Sequence, residues 1–332
     1  MTRANGIAYA VFFMLLVLGI RSCGFNTDQI VNATGDIPVR SETGPVTVTD
    51  VDPGIRPQQP GNSRAPIIVG AFNIQIFGVA KSNDGFVMQH LVDIARRFDL
   101  LAIQELRAED QTVVSNFVRM INSDGSRYTS VVGPRQGTTI SKEQYVYLFD
   151  TNKLRLTSQP YVAVDPTGDM HRSPLVASFE CVNAQDGNNF SFTTLNLHVD
   201  PDVVDIELAA IEQIVPQVML NHPNEDDFLI LGDFNEHADG MRDFNLLRNQ
   251  FPLVRSNWAT KPRSGRSIDN IVIDSVRTSE YRNQSGVLNV SHEYSLSVED
   301  AVRISDHYPV WAVFSNHEEP SRVAVSQNQT IR

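Results

Sequence analysis

From residue 67 onward the chain alternates short, nearly unbroken apolar runs with stretches in which apolar residues return every three or four positions. Residues 67–72, 100–103, 145–149, 175–179, 192–197, 228–231, 268–273 and 310–314 are too short for helices and rich in β-branched or aromatic side chains, so each predicts a strand. A period of 3.6 predicts one helix through Val87, Leu91, Ile94 and Phe98, capped by Asp84, and another through Val113, Phe117, Val118 and Ile121. A third helix runs through Ile206, Ala210, Ile214 and Val218, with Asp202 as its expected cap. Many strands and few helices predict an α+β fold, a four-layer α/β/β/α sandwich of two packed, mostly antiparallel sheets with outer helices, in preference to a doubly wound sheet. Asn73, Glu105, His198, Asp233, Asn235, Asp269, Asp306 and His307 all stand at the edges of these runs. Loops at strand ends are where a rigid scaffold usually carries its chemistry.

The apolar run at residues 7–20 has a different meaning. It spans 14 residues after a single Arg3, shorter than the roughly 20 a spanning helix needs, and predicts a secretory signal. Cys23 behind Ser22 resembles a lipoprotein signal, although Arg21 fits that pattern poorly; an uncleaved, tilted anchor and simple cleavage are the alternatives. Each exports the domain, leaving it secreted or tethered to the outer face of a membrane. Residues 1–23 are thus a signal or lipoprotein/membrane anchor. Residues 24–65, rich in Pro, Gly, Asp, Thr and Ser without a period, read as a flexible linker. The folded domain is expected over 66–316 and a disordered tail over 317–332.

A hydrophobic share of 41% is ample for a buried core. The only cysteines, Cys23 and Cys181, exclude a disulfide framework, and Cys181 at the end of a strand run reads as a small core residue. A net charge of −12 argues against a broad basic surface holding polyanions by counterion release. It leaves room for a nucleic-acid substrate gripped by a few arginines and a divalent cation.

The chemistry is concentrated in two motifs. In Leu-Gly-Asp233-Phe-Asn235 the strand breaks at Gly232 and presents a carboxylate and an amide beyond its edge; in Ser-Asp306-His307-Tyr-Pro the polar pair comes just before a strand, with Pro309 at the strand start. Taken alone, Gly-Asp-x-Asn is also the sequence of an Asx turn. With Phe72-Asn73, Gln104-Glu105-Leu-Arg107, Lys142-Glu143-Gln-Tyr, His171-Arg172-Ser-Pro, Leu197-His198 and Ile268-Asp269-Asn-Ile in the same order, the chain resembles the deoxyribonuclease I family, inside the endonuclease, exonuclease and phosphatase superfamily.

That resemblance implies a metal-dependent phosphodiester hydrolase. Cleaving an anionic diester requires neutralising charge, activating water and protonating the leaving oxygen. Hard divalent ions take oxygen ligands, so Mg²⁺ is the expected cofactor, with Mn²⁺ or Ca²⁺ as alternatives, held by Asn73, Glu105 and Asp306. By resemblance His198 pairs with Glu143 and His307 with Asp269, one imidazole helping to activate water and the other protonating the leaving group. Asp233 and Asn235 orient water or a second metal, with Asn235 also on a phosphoryl oxygen; Arg107 and Arg172 contact phosphate and groove. His171 and His237 are given no role by the resemblance and are left as surface residues. Pancreatic-type members carry a Tyr before the Lys-Glu pair where this chain has Ser141, removing a stacking contact worth roughly 1 to 3 kcal/mol. The expected substrate is DNA, cut with little sequence preference, with no obligate protein partner and with membrane association through the N-terminus. The competing expectations are a phosphodiesterase or phosphatase acting on a lipid head group, and a non-catalytic surface binding module.

Overall fold

The computed structural model describes residues 45–48, 65–138, 141–182 and 187–320. The apolar stretch 7–20, Cys23 and most of the expected linker lie outside the described residues. The elements in order are β1 (Thr47–Val48), β2 (Ile67–Phe77), α1 (Val79–Ser82), α2 (Gly85–Ala95), β3 (Leu100–Leu106), α3 (Thr112–Ile121), β4 (Tyr128–Val132), β5 (Gln144–Asp150), β6 (Leu154–Leu156) and β7 (Tyr161–Val162). There follow β8 (Leu175–Cys181), β9 (Ser191–His198), α4 (Val204–Asn221), β10 (Phe228–Asp233), β11 (Gln250–Pro252), β12 (Asp269–Asp274), β13 (Tyr281–Val287), α5 (Val290–Glu293), α6 (Val298–Ile304) and β14 (Val310–Phe314).

One sheet runs β1-β4-β5-β3-β2-β14-β13; the second runs β11-β12-β10-β9-β8-β6, with β7 also on β8. Every pairing is antiparallel except β2 with β3 and β9 with β10. Those two parallel pairs are the ones whose connections contain the long helices α2 and α4, because a parallel return needs a crossover. Strand side chains alternate between two covered faces. Val69, Ala71, Tyr145, Tyr147, Phe179, Leu229, Leu231 and Ile271 pack between the sheets. Phe72, Ile103 and Leu148 face α2 and α3, while Leu195, Ile230 and Val272 face α4. The result is the expected four-layer sandwich. Buried Cys181 is part of the inter-sheet core.

Asp84 caps α2, accepting from the backbone N of Phe86 and Val87. Phe98 lies beyond that helix but still packs in its core. Asp202 does not cap α4, whose N-cap is Val203 with no side-chain bond. Ile206, expected on the buried face, is 52% exposed. The face is rotated because Glu207 turns inward and accepts from the backbone N of His171 and of Asp200, both at 2.7 Å, tying the helix to the loop beside the site. The expected linker and tail boundaries also shift. Thr47 and Val48 pair with β4, and His317 bridges Asn189 while Glu318 N donates to Asn188 O, so residues 47–48 and 317–318 are part of the fold. No helix among the described residues is long and apolar enough to cross a membrane.

Candidate active site

Central strands of both sheets end at one rim. In the first sheet β2 and β3 pair Asn73 with Gln104, then lose register before Phe77 meets Leu106. Across this irregularity Gln75, Ile76 and Glu105 have φ of +48°, +53° and +62°, a region that costs L residues roughly 1–2 kcal/mol each. Side chains of the site hold the distortion: Asn73 Oδ1 accepts from Gln75 N and Glu105 Oε2 from Ile76 N, both at 2.9 Å. In return Asn73 Nδ2 donates to Glu105 Oε1 (3.1 Å) and, across to the second sheet, to Asp233 Oδ2 (3.0 Å).

In the second sheet, register alone assembles the rest. Asp233 pairs with His198 on β9 and with Asp269 on β12, so three strand ends bring their polar residues side by side. Gly232 lets β9 and β10 approach, since a Cβ there would lie 2.0 Å from Leu197 O. The two imidazoles converge on Asp233 Oδ2, with His198 Nε2 at 3.6 Å and His307 Nε2 at 3.5 Å. Their other nitrogens are held by carboxylates: His198 Nδ1 is 2.8 Å from Glu143 Oε1, and His307 Nδ1 is 2.9 Å from Asp269 Oδ2. Ser305 Oγ donates to Asn73 O and accepts from His307 N, locking the His307 loop to β2.

Burial alone would discharge these groups, and their neighbours oppose it. Burial pulls His307 down, but Asp269 and Asp233 outweigh it and the ring is pushed up to about 9. His198 is likewise raised, burial being overcome by the hydrogen bond and charge of Glu143 and by Asp233. Burial would raise Asp233, yet His307 and His198 hold it below the usual carboxylate range. Glu143 is also held low, against burial, by His198, Arg172 and Arg107. The arrangement therefore keeps an ionised carboxylate between two rings that readily hold a proton.

Four cations surround this centre. Arg172 Nε lies 2.9 Å from Glu143 Oε1, and its Nη2 donates to His198 O. Arg107 Nη2 is 3.0 Å from Glu105 Oε2, and its Nη1 donates to Ser141 Oγ at 2.7 Å. Lys261 Nζ is 2.5 Å from Asp306 Oδ2 and 2.9 Å from His307 Nε2. A proton arriving at that nitrogen would break the lysine contact and leave the ammonium on Asp306. Lys81 Nζ donates to the carbonyls of Ile74, Gln75 and Ile304, and burial lowers it to about 8 against the pull of Glu105 and Asp306.

The expected pairs His198–Glu143 and His307–Asp269 are thus formed. Asn235 N donates to Asp233 Oδ1 and its Nδ2 to Val199 O, so it shapes the turn after Asp233 while keeping a second amide hydrogen. The expected metal set is arranged differently from the sequence reading. Asn73 turns its amide nitrogen, a donor, toward the carboxylates, and Asp306 is bridged to Lys261. Even so, a hard divalent ion fits: Asp306 Oδ1 is buried without a hydrogen-bond partner, and Glu105, Glu143 and His198 offer ligand atoms within 4.8 Å of one another. His171, read as a surface residue, is half-buried with Nδ1 2.8 Å from Asp200 Oδ2 next to Arg172; His237 is exposed. Lys81, Lys261 and Tyr145, whose hydroxyl accepts from His198 N at 3.0 Å, were not legible as site residues. Only Tyr145 had a signal, its place directly after Lys-Glu-Gln; Lys81 lies in the single-turn helix α1 and Lys261 in a loop, neither within a recognisable motif.

The Endonuclease/Exonuclease/phosphatase family matches residues 70–307. The chain is 28% identical to deoxyribonuclease-1-like 1 of Sus scrofa over 72% of its length and 78% of that protein. It is 30% identical to deoxyribonuclease-1-like 1 of Cricetulus griseus over 72% and 81%. Among solved structures, an endonuclease/exonuclease/phosphatase from Bacteroides vulgatus superposes with a TM-score of 0.53 at 14% identity, covering 76% of this chain and 100% of that one, a likeness of fold. With the motifs assembled on this fold, the chain belongs to the Endonuclease/Exonuclease/phosphatase family, within its deoxyribonuclease I branch, and is a phosphodiester hydrolase.

Proposed function

We propose that the protein is an exported, divalent-metal-dependent endonuclease that hydrolyses DNA with little sequence preference. The observation that carries this reading is the convergence of two carboxylate-backed imidazoles, one at the end of β9 and one in the loop before β14, on the single carboxylate Asp233, inside a ring of Arg and Lys. A diester bridging that ring meets Arg172, Lys261 and, toward Ser141, Arg107, which neutralise its oxygens and orient it. Asp233 lies within reach of both Nε2 atoms and is suited to align a water and accept its proton, with Asn235 shaping the turn that aims it. A protonated Nε2, on His307 or His198, can deliver its proton to the departing oxygen, and Asp269 or Glu143 then steadies the ring that has given it up. Glu105 and Asp306 Oδ1 would hold the divalent ion, which when bound supplies Lewis-acid polarisation of the phosphoryl group. Ser141 supports a looser grip on duplex DNA than a ring would give. The apolar run at 7–20 supports export.

A second reading has one observation in its favour. Ile76 and Val79, beside the rim, are 55% and 50% exposed and offer an apolar contact to a substrate. That contact suits a base or sugar face, and also the glycerol or ceramide part of a phospholipid. Plasmid nicking by the full chain separates the two: the nuclease reading expects Mg²⁺-dependent conversion to open circles that chelator and His198→Ala both abolish. An intact plasmid together with metal-dependent hydrolysis of sphingomyelin transfers the function to the second reading. No turnover of either leaves a binding module.

A further inference from the structure

At the end of β10 remote from Asp233, a second acidic group is built into the fold. Asp227 directly precedes β10 and Glu280 directly precedes β13, while Glu318 lies in the segment after β14. Asp227 is 1% and Glu280 0% exposed, and each of the three carboxylates presents an oxygen within 4.8 Å of the others. Among the described residues no Lys, Arg or His forms an ion pair with any of them. Two oxygens in the group, Asp227 Oδ1 and Glu280 Oε2, are buried with no hydrogen-bond partner. Three anions without a counter-charge and with unanswered acceptors should not persist in an apolar setting. Either protons or a cation must neutralise them.

We propose that Asp227, Glu280 and Glu318 bind a calcium ion that fastens the two sheets together at the end opposite the active site. Calcium suits the group better than magnesium because it accepts irregular sets of six to eight oxygens, whereas magnesium holds to an octahedron and keeps most of its water. A neutral oxygen is at hand in the buried Thr278 hydroxyl beside Asp227. The surrounding backbone is already tied to these residues: Thr193 N donates to Asp227 O, Ser315 N to Glu280 O, and Ser191 N to Glu318 Oε2. An ion here would therefore link the starts of β9 and β10 in one sheet to β13 and the strand-end segment of the other. Six residues of strand separate Asp227 from Asp233, about 20 Å at roughly 3.3 Å per residue, so the site is independent of the catalytic rim.

The test uses the full chain carrying Glu105→Gln and Asp306→Asn, which removes the two carboxylates assigned to the divalent ion at the rim. After chelation and dialysis, CaCl₂ is titrated calorimetrically and the Tm is followed. One equivalent of Ca²⁺ should bind, and at 100 times the Kd the Tm should rise by about 5 °C or more. Asp227→Asn and Glu280→Gln, each nearly isosteric, should each weaken binding at least about tenfold. Hydrogen exchange in the unsubstituted cluster locates the ion without relying on those variants folding: Ca²⁺ should slow exchange at the amides of Ser191 and Glu319, which donate to Glu318 Oε2 and Glu280 Oε1. Absence of both binding heat and Tm shift would mean that protons neutralise the group and would overturn the proposal. So would Ca²⁺ affinity unchanged in the Asp227→Asn, Glu280→Gln double variant, or protection confined to other amides.

Discussion

Gly232→Ala tests whether the active site is assembled by strand register. Gly232 has φ +144° and sits opposite Leu197 in the parallel ladder of β9 and β10. A Cβ would lie 2.0 Å from Leu197 O, 3.0 Å from its carbonyl carbon and 3.2 Å from its N. All three are backbone atoms of a paired strand, so no side chain can swing aside, and relief requires roughly 1 Å of strand separation. Overpacking of this kind costs about 1–3 kcal/mol and the φ about 1–3 more, so about 2–6 kcal/mol together. For a domain of this size that lowers the Tm by about 5 to 20 °C. The next pair along the ladder is Asp233 with His198, and a misplacement near 1 Å at reacting groups costs about 10²-fold in rate. Thermal unfolding and plasmid nicking at a temperature where the variant is folded measure the two effects separately. Gly85→Ala, where a Cβ meets nothing within 4 Å, is the control and should be neutral or stabilising. If Gly232→Ala melts within 2 °C of wild type and nicks at half the wild-type rate or better, the reasoning about register is wrong.

His307→Ala and Asp233→Asn should each keep the fold by circular dichroism and lower nicking by at least about two powers of ten, because each removes a proton-transfer or aligning group; near-normal rates would refute those roles. Ser141→Tyr should lower the KM for duplex DNA, by up to the roughly 1–3 kcal/mol of a stacked ring, while leaving a small diester substrate unaffected; an unchanged KM means that Ser141 does not face the groove. In chelator, urea midpoints should fall as pH rises from about 6 to 9. Burial, then Glu280 and Glu318, push Asp227 up to about 9 and burial pushes Glu280 to about 7. The folded chain therefore keeps protons that the unfolded chain releases, and stability is lost as pH climbs toward the folded values. Asp227→Asn should flatten that slope, and a flat wild-type profile would contradict the assignment.

The layers of the fold were legible because short apolar runs covered on both faces have a period that helices do not share, and because β2–β3 and β9–β10 are separated by helix-length amphipathic stretches. Short edge strands were not legible. Tyr281–Val287 has polar residues over most of its length and pairs only because β14 lies beside it. The inward turn of Glu207 was hidden for a similar reason: a buried carboxylate is tolerable only where two backbone N–H groups from a distant loop answer it. By itself the sequence determined which residue types stand at strand ends, in an order from Asn73 to His307 that specifies the chemistry. Tertiary structure alone decided that Lys81 and Lys261 join them, that Asp306 is bridged to a lysine, and that Asp227, Glu280 and Glu318 meet without a counter-charge. Local sequence sets backbone period and side-chain chemistry, whereas a charge takes its meaning from neighbours that the fold brings within a few ångströms across as many as 232 residues.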